Sequence, residues 1–241
     1  MLIKQRKQIN KNAFIYVRTQ GGGVKRLFRF LDLYGTLNLY IPSLFLTYIY
    51  DPCRNAFLGL FLYLNGIISY RIGTEDLDIF SIYFPIMEDS SLIRAGQVTF
   101  LKNLKGGSVV HSVPLILNHK STLARSAGMF VYLLRNDLVN RLSFLRIKRG
   151  LTLILDFNTL VTLGKICNSH FIDIKKGKAG LRRLLGYRPV VRGIAMNPVD
   201  HPNGGRTPGG KVYRSFSNRI ARSQLKTRKR SRFYNRFIVL N

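Results

Sequence analysis

Asp200 and His201 are the adjacent residues of this chain that most readily suggest catalysis, because an imidazole beside a carboxylate can activate a serine nucleophile. Neighbours in sequence rarely point at each other, however, and the chain contains no GxSxG elbow. The other histidines have no metal-ligand spacing and are interpreted as satisfied barrel or surface residues: His111, His119 and His170. We therefore predict that the chain is not an enzyme. The alternative is that His201 acts as a general base in peptide transfer or hydrolysis.

The two cysteines, Cys53 and Cys167, are 114 positions apart and belong to no CxxC or Cys/His cluster. Both are interpreted as small buried apolar residues. The carboxylates at Glu75, Asp76 and Asp78 are explained by a solvated loop. The sequence thus predicts neither a metal site nor a disulfide.

Basic residues carry the clearest chemical signal, with 39 Lys and Arg against 11 Asp and Glu and a formal net charge of +28. Residues 1–31 hold eight basic residues and no acid, and residues 175–241 hold eighteen and one acid. Arms of that charge density repel themselves in water, so their ordered state requires a dense polyanion. Nucleic acid is the predicted partner. The alternative is a basic protein on an anionic membrane surface, but the arms lack an amphipathic helix with a clear apolar face, and no membrane span is predicted.

The segment 177–211 concentrates this signal, with eight glycines, four prolines and seven basic residues. Such a composition argues against a helix or a packed core strand. Arg183, Arg188 and Arg192 can each present a planar guanidinium to phosphate oxygens. A second basic cluster follows three glycines near the N-terminus: Lys25, Arg26 and Arg29. Irregular arms beside small barrels favour structured RNA over DNA, because no helix is suited to a major groove.

Short apolar or alternating runs rich in Tyr, Phe, Ile and Leu predict two small β-barrels to position these arms. In the first, we predict a hairpin over 56–72 with a type I′ turn at Asn65-Gly66, and a strand pair over 35–50 that closes around Pro42-Ser43. The polar stretch 88–96 is predicted to be a linker. The predicted strands of the second barrel are 109–117, 128–134, 141–147 and 151–157, the last two joined by a turn at Arg149-Gly150.

The C-terminal arm contains an ordered series of motifs: GKAG at Gly177, LG-x-RP at 185–189, VRG at 191–193 and AMNPVDHP at 195–202. Further motifs extend along nearly the whole chain: GGGVKRLFRFLD at Gly21, YDP at Tyr50, LARSAG at Leu123, TRK at Thr227 and FIV at Phe237. Together they resemble the signature of the universal ribosomal protein L-two family of the large ribosomal subunit.

The resemblance implies a mainly β fold, with an N-terminal OB-like barrel at 24–86, an SH3-like barrel at 92–174, and extended basic arms at 1–23 and 175–241. It implies a structural constituent of the large subunit that binds large-subunit rRNA and supports subunit assembly and association. The implied partners are rRNA, neighbouring ribosomal proteins, and the small subunit through an inter-subunit bridge. No cofactor is implied beyond magnesium ions associated with the rRNA.

His201 matches the family's functionally important histidine near the peptidyl transferase centre, and its rigid loop is matched by Asn197, Pro198 and Asp200. The chain departs from the family pattern at three places. Asn203 stands where a second histidine is usual, Leu184 stands where Trp is usual, and the loop is shortened between Gly205 and Arg206. The residues predicted to bind RNA are Arg18, Lys25, Arg26, Arg29, Arg125, Lys178, Arg182, Arg183, Arg188, Arg192, Asn197, His201, Arg206, Lys211, Arg228, Lys229 and Arg230.

Composition bears on location as well. Sixteen Phe and twelve Tyr with no Trp resemble the biased composition of organelle-encoded proteins. The N-terminus is basic and free of acids, as a transit peptide would be, but it lacks serine and is interpreted as mature protein. We predict the large subunit of a mitochondrial ribosome, in the matrix.

Overall fold

The computed structural model of the chain describes residues 2–3, 18–33, 40–84, 93–148, 150–205, 212–218, 220 and 233–239. The chain forms two compact units. The first comprises residues 1–3, 26–175 and 233–241, and the second comprises residues 4–25 and 176–232. The second unit is therefore assembled from two segments that are far apart in sequence.

The first sheet of the first unit is antiparallel and has four strands. A separate pair precedes it in the chain, formed by β1 (Leu2–Ile3) and β2 (Arg26–Leu27). The sheet itself has the strand order β5-β4-β3-β6, with bounds β3 (Ser43–Ile49), β4 (Leu58–Tyr63), β5 (Ile68–Ile72) and β6 (Ile82–Tyr83). Its inward side chains alternate along β4, as the period of two requires. Phe45, Phe61, Tyr83 and Leu77 form the core of this sheet.

The hairpin predicted over 56–72 is confirmed, but its turn is not of type I′. Gly66 has a φ of 80°, whereas Asn65 stays outside the left-handed region that a type I′ turn needs at both central residues. The Gly66 N–H donates to the Tyr63 carbonyl over 2.9 Å, and the Tyr63 N–H donates to the Ile67 carbonyl over 2.9 Å. This is the pattern of a three-residue loop closed by a glycine bulge.

The turn predicted at Pro42-Ser43 is wrong, because Ser43 is the first residue of β3. It pairs with Tyr63 on one side and with Tyr83 on the other, so its backbone belongs to the sheet ladder. The preceding half of that predicted strand pair includes residues 34–39, which lie outside the described residues.

The second sheet has six antiparallel strands in the order β11-β10-β9-β8-β12-β7. Their bounds are β7 (Val98–Phe100), β8 (Val109–His111), β9 (Val131–Asp137), β10 (Leu142–Ile147), β11 (Thr152–Asp156) and β12 (Leu160–Leu163). The core residues include Val131, Leu133, Leu145 and Leu153, which are almost fully buried. A 3-10 helix, Phe233–Phe237, leads to Ile238, which bridges to Leu153.

The predicted strands of the second barrel are confirmed in part. The hairpin around Arg149-Gly150 is present, and Gly150 takes a φ of 87° in the same bonding pattern as the first hairpin. The strand predicted at 109–117 ends at His111, because Ser112 has a φ of 53° and leaves the extended region. The strand predicted at 128–134 begins and ends three residues later. β7 and β12 were not predicted at all.

The two sheets share an apolar cluster within the first unit: Ala56, Ile72, Ala127 and Ile166. His111 joins them, because its Nε2 is 2.8 Å from Thr74 Oγ1 while its Nδ1 is 2.9 Å from Ser112 Oγ. Burial lowers the pKa of His111 to about 3. The interpretation of this histidine as a satisfied barrel residue is confirmed.

The predictions for the two cysteines and for the linker 88–96 are confirmed only in part. Cys167 is buried, as predicted, but Cys53 is exposed in the loop after Asp51, where its N–H donates to the Asp51 carboxylate. Gly96, at the end of the predicted linker, is buried and leaves no room for a Cβ beside Leu77. Residues 85–92 of that stretch lie outside the described residues.

The chain is mainly β, and its two sheets are consistent with an OB-like and an SH3-like barrel. The predicted fold class is confirmed. The boundaries of the barrels and arms stay a prediction.

Candidate nucleic-acid interface

The second unit holds most of the positive charge of the chain. Of the 39 Lys and Arg residues, 22 fall in residues 4–25 and 176–232, together with a single acid, Asp200. Nearly all of its described basic side chains are exposed to solvent. A surface of this kind attracts polyanions from a distance and binds phosphate on contact.

The three glycines at 21–23 allow the two segments of the second unit to pair closely. Gln20 forms an antiparallel bridge with Tyr187, and the Gly21 N–H donates to the Gly186 carbonyl over 2.9 Å. Gly23 has a φ of 82°, and a Cβ there would press against the carbonyl of Leu184. A glycine is needed at this position for both reasons.

A six-residue helix, α1 (Ala179–Leu184), carries Arg182 and Arg183 in its last turn. The glycine-rich and proline-rich composition of 177–211 predicts no helix here, and that prediction is wrong. Only Gly180 interrupts the helix-forming residues of α1, and the helix-breaking glycine comes after its end. Gly186, with a φ of 89°, donates its N–H to the Arg183 carbonyl, and the Tyr187 N–H donates to the Arg182 carbonyl. These two bonds are those of a Schellman cap.

The cap turns the chain so that cationic side chains gather around Tyr187. The Arg183 Nη1 donates to the Tyr187 carbonyl over 3.0 Å. The Arg182 guanidinium and the Lys176 ammonium lie 5.7 Å and 5.2 Å from the centre of the Tyr187 ring. Both distances fit a cation–π contact that still leaves the charges exposed.

The loop around His201 is tightly closed by backbone hydrogen bonds. The Gly205 N–H donates to the Met196 carbonyl over 3.0 Å, and the Gly204 N–H donates to the His201 carbonyl over 2.8 Å. A Cβ on Gly204 would collide with the backbone of Asn197. This crowding explains why glycines follow the NPVDHPN sequence.

His201 is held in one tautomer. The Asn203 N–H donates to its Nδ1 over 3.0 Å, so Nδ1 is the acceptor of the ring and Nε2 is its donor. The imidazole lies against Gly193, where any side chain would collide with it. It is half-buried, with its ring centre 6.3 Å from that of Phe216. The Arg18 guanidinium stacks on the same phenyl ring at 3.0 Å.

Two residues that were not predicted to bind RNA support His201: Asn203 within the loop and Phe216 against the imidazole. Asn203 is 3% exposed. Its Nδ2 donates to the Val212 carbonyl over 3.0 Å, and its Oδ1 accepts from the Arg214 N–H over 2.6 Å. The Asn203 side-chain amide thus makes one donor and one acceptor bond to the backbone of 212–214, as a residue of a neighbouring β-strand would. A buried Asn with partners nine and eleven residues away leaves no pattern in a single sequence.

The predicted RNA-binding residues divide between the two units. In the second unit, His201 and Arg188 are half-buried, and the remaining ones are exposed: Arg18, Lys25, Lys178, Arg182, Arg183, Arg192 and Asn197. In the first unit, Arg125 is exposed, and the Arg26 Nη1 donates to the Pro52 carbonyl over 3.2 Å. Arg29 is half-buried, and within the described residues its buried Nη1 has no hydrogen-bond partner. Five predicted residues lie outside the described residues: Arg206, Lys211, Arg228, Lys229 and Arg230.

The described part of the chain offers neither a metal site nor a membrane-spanning helix. It contains no group of three or more His, Cys, Asp or Glu residues that could hold a metal ion. Among the same residues, no helix has the length and apolar character needed to cross a membrane.

Comparison with known proteins connects this geometry to a family. A family model described as "Ribosomal Proteins L2, RNA binding N-terminal domain" matches residues 1–81, and one described as "Ribosomal Proteins L2, C-terminal domain" matches residues 94–224. The "Large ribosomal subunit protein uL2" of Bartonella henselae is 35% identical over 206 residues, which cover 84% of this chain and 72% of that protein. The "Large ribosomal subunit protein uL2m" of Dictyostelium citrinum is 30% identical over 238 residues, covering 98% of this chain and 89% of that protein.

These matches extend over both sheets and over the His201 loop, and the family is a structural component of the ribosome and not a class of enzymes. The catalytic alternative for His201 therefore has no support. The chain belongs to the ribosomal protein L2 family.

Proposed function

We propose that this chain is a structural constituent of the large subunit of a mitochondrial ribosome and that it binds large-subunit rRNA. The observation that carries the proposal is the second unit, in which exposed cations surround a glycine-rich backbone and only one acid is present. Exposed guanidinium groups neutralise phosphates, and glycines let the backbone approach the RNA closely.

The mitochondrial assignment rests on the relatives. The uL2m proteins of Dictyostelium citrinum and Dictyostelium discoideum match 98% of this chain, whereas the bacterial relatives match 84% at slightly higher identity. The biased composition favours the same assignment. We infer a location in the mitochondrial matrix.

We further propose that the residues predicted from the sequence to bind RNA do so, with Arg18, Arg183 and Arg192 among the exposed phosphate ligands. His201 would then present its Nε2–H to an acceptor on the RNA near the peptidyl transferase centre. Its role is to position RNA, since an imidazole whose Nδ1 accepts from the Asn203 N–H offers its Nε2–H as a hydrogen-bond donor to a ligand. Support for subunit association through an inter-subunit bridge belongs to the same proposal.

The decisive experiment is sedimentation of mitochondrial ribosomes through a high-salt wash. We expect the chain to remain bound to the large subunit, because a protein that contacts many rRNA segments dissociates only when the particle unfolds. Loss of the chain from washed large subunits would contradict the proposal that it is a structural constituent of that subunit.

A second measurement tests the mechanism. If six to ten phosphates are neutralised, the affinity of the purified full-length protein for large-subunit rRNA should fall by about 10³-fold or more between about 50 mM and 200 mM salt. Equal affinity at both salt concentrations would show that phosphate neutralisation is not the source of binding.

A further inference from the structure

The outer face of the second sheet carries aromatic and cationic side chains in an interleaved arrangement. Along β9 and β10, Val131, Leu133 and Leu145 point inward and are almost fully buried. Six of the outward residues, on these strands and next to their ends, form what we call the stacking face: Phe130, Tyr132, Arg135, Phe144, Arg146 and Lys148. None of them was among the residues predicted to bind RNA.

We propose that the stacking face binds unpaired nucleotides of RNA, with bases stacked on its rings and phosphates held by its cations. The inference rests on the proposed function and adds a site and a ligand class to it. Aromatic rings accept any base by stacking, whereas paired bases inside a helix offer no free face.

The strand register places a cation beside each aromatic residue. Arg146 is directly opposite Tyr132 across the β9–β10 pair, and Phe130 lies two positions before Tyr132 on the same face. The Phe130 and Tyr132 rings pack edge to face, with centres 5.0 Å apart. Tyr132 is 42% exposed, so part of this ring is open to a ligand.

A β-bulge is what brings Arg135 to the stacking face. Phe144 pairs with Arg135 and Leu145 pairs with Leu133, so Leu134 is an additional residue in β9. Strict alternation from Leu133 would have turned Arg135 toward the core, and the bulge reverses that. The Arg135 guanidinium consequently lies 4.6 Å from the centre of the Phe144 ring.

The charge of this face selects a polyanion. Lys148 lies 5.9 Å from the Phe130 ring centre, which brings the cations of the stacking face to three. Asp137 and Asp156 both pair with Leu142 and lie on the same side of the sheet, beyond Phe144, where they accept hydrogen bonds from the turns that follow them. A surface with three cations among its flat rings, and with its acids confined to one end, suits an RNA strand better than a protein surface of evenly mixed charge.

The test uses the purified full-length protein, transcripts of large-subunit rRNA and three variants. Tyr132→Leu removes the ring and Tyr132→Phe keeps it. Tyr50→Leu is the matched control, because Tyr50 is an exposed tyrosine that follows β3 and is not among the residues predicted to bind RNA. Tyr132→Leu should weaken binding about fivefold or more with an unchanged salt dependence, since stacking releases no counterions. Tyr132→Phe and Tyr50→Leu should bind like the unaltered protein.

Arg146→Gln provides an independent readout. Loss of one phosphate contact should lower the slope of log affinity against log salt by about one. Thermal unfolding of each variant shows whether it is folded, and a folded Tyr132→Leu that binds as tightly as Tyr50→Leu overturns the inference. Absence of binding by the unaltered protein would instead contradict the proposed function, so the two failures are distinguishable.

Discussion

At the residue scale, Asn203 shows how much one buried amide can organise. It supplies a backbone N–H to His201 and side-chain atoms to Val212 and Arg214, so three parts of the loop meet at one residue. The sequence identified His201 and flagged Asn203 only as a departure from the family pattern. Its role could not be predicted, because it depends on a partner segment whose position no local pattern reports.

Replacement of Asn203 should loosen the loop in a graded way. Asn203→Ala leaves the Val212 carbonyl and the Arg214 N–H without their partner, at a cost of about 1–3 kcal/mol. Asn203→Asp keeps an acceptor for Arg214 and should cost less. Amide hydrogen exchange of peptides covering 212–218 should accelerate about tenfold in Asn203→Ala, whereas Asn197→Ala, at an exposed position, should leave it unchanged. Unaltered exchange in Asn203→Ala would show that the Asn203 side chain does not hold the 212–218 segment in place.

His111 predicts how stability depends on pH. Its pKa is about 3 when folded and about 6.5 when unfolded, so only the unfolded chain takes up the proton between these values. The free energy of unfolding should therefore fall as the pH drops below about 6.5, by up to about 1.4 kcal/mol per pH unit from this group.

Urea unfolding at about pH 7.5 and about pH 5 measures the effect. His111 should contribute roughly 2 kcal/mol to the difference between the two conditions. His111→Gln should lose that part of the difference, whereas His119→Gln, at an exposed site, should keep it. An equal pH dependence in His111→Gln and in the unaltered protein would show that His111 is not the responsible group.

At the scale of elements, the sequence predicts the features that depend on residues close together in the chain. Both glycine-closed hairpins were found from Asn65-Gly66 and Arg149-Gly150, because a turn glycine between apolar runs is a short-range signal. β7 and β12 escaped prediction, since strands of three or four residues are stabilised by partners distant in sequence. The helix α1 was not predicted, because the glycines and prolines around it dominate the composition of the segment 177–211.

Two glycines of α1 and its cap should respond to alanine in opposite ways. Gly186 holds a φ of 89°, so Gly186→Ala should destabilise the cap by about 1–2 kcal/mol. Gly180 lies inside α1 with open space around it, and Gly180→Ala should stabilise the helix by about 0.5–1 kcal/mol.

Hydrogen exchange of the peptide covering 179–188 compares the two variants. Exchange should be faster in Gly186→Ala and slower in Gly180→Ala than in the unaltered protein. A change of the same sign in both would contradict the assigned cap.

At the scale of the whole molecule, a net charge of +28 sets two salt dependences of opposite sign. In the free protein, like charges repel, and salt screens that repulsion within about 10 Å at about 0.1 M. The melting temperature of the free protein should therefore rise with sodium chloride, while its affinity for rRNA falls. Scanning calorimetry in parallel with RNA binding checks this, and a melting temperature that falls with salt would contradict it.

The pairing of Gln20 with Tyr187 also determines when the second unit can form during synthesis. The Thr19 carbonyl accepts a hydrogen bond from the Arg188 N–H, so residues 19–21 find their partners only after about 170 more residues have been translated. The first unit has nearly all of its strands by residue 163 and can fold while the chain is still growing. The strongly cationic unit is completed last, which leaves the nascent chain without the RNA-binding surface of the second unit until most of its length has been translated.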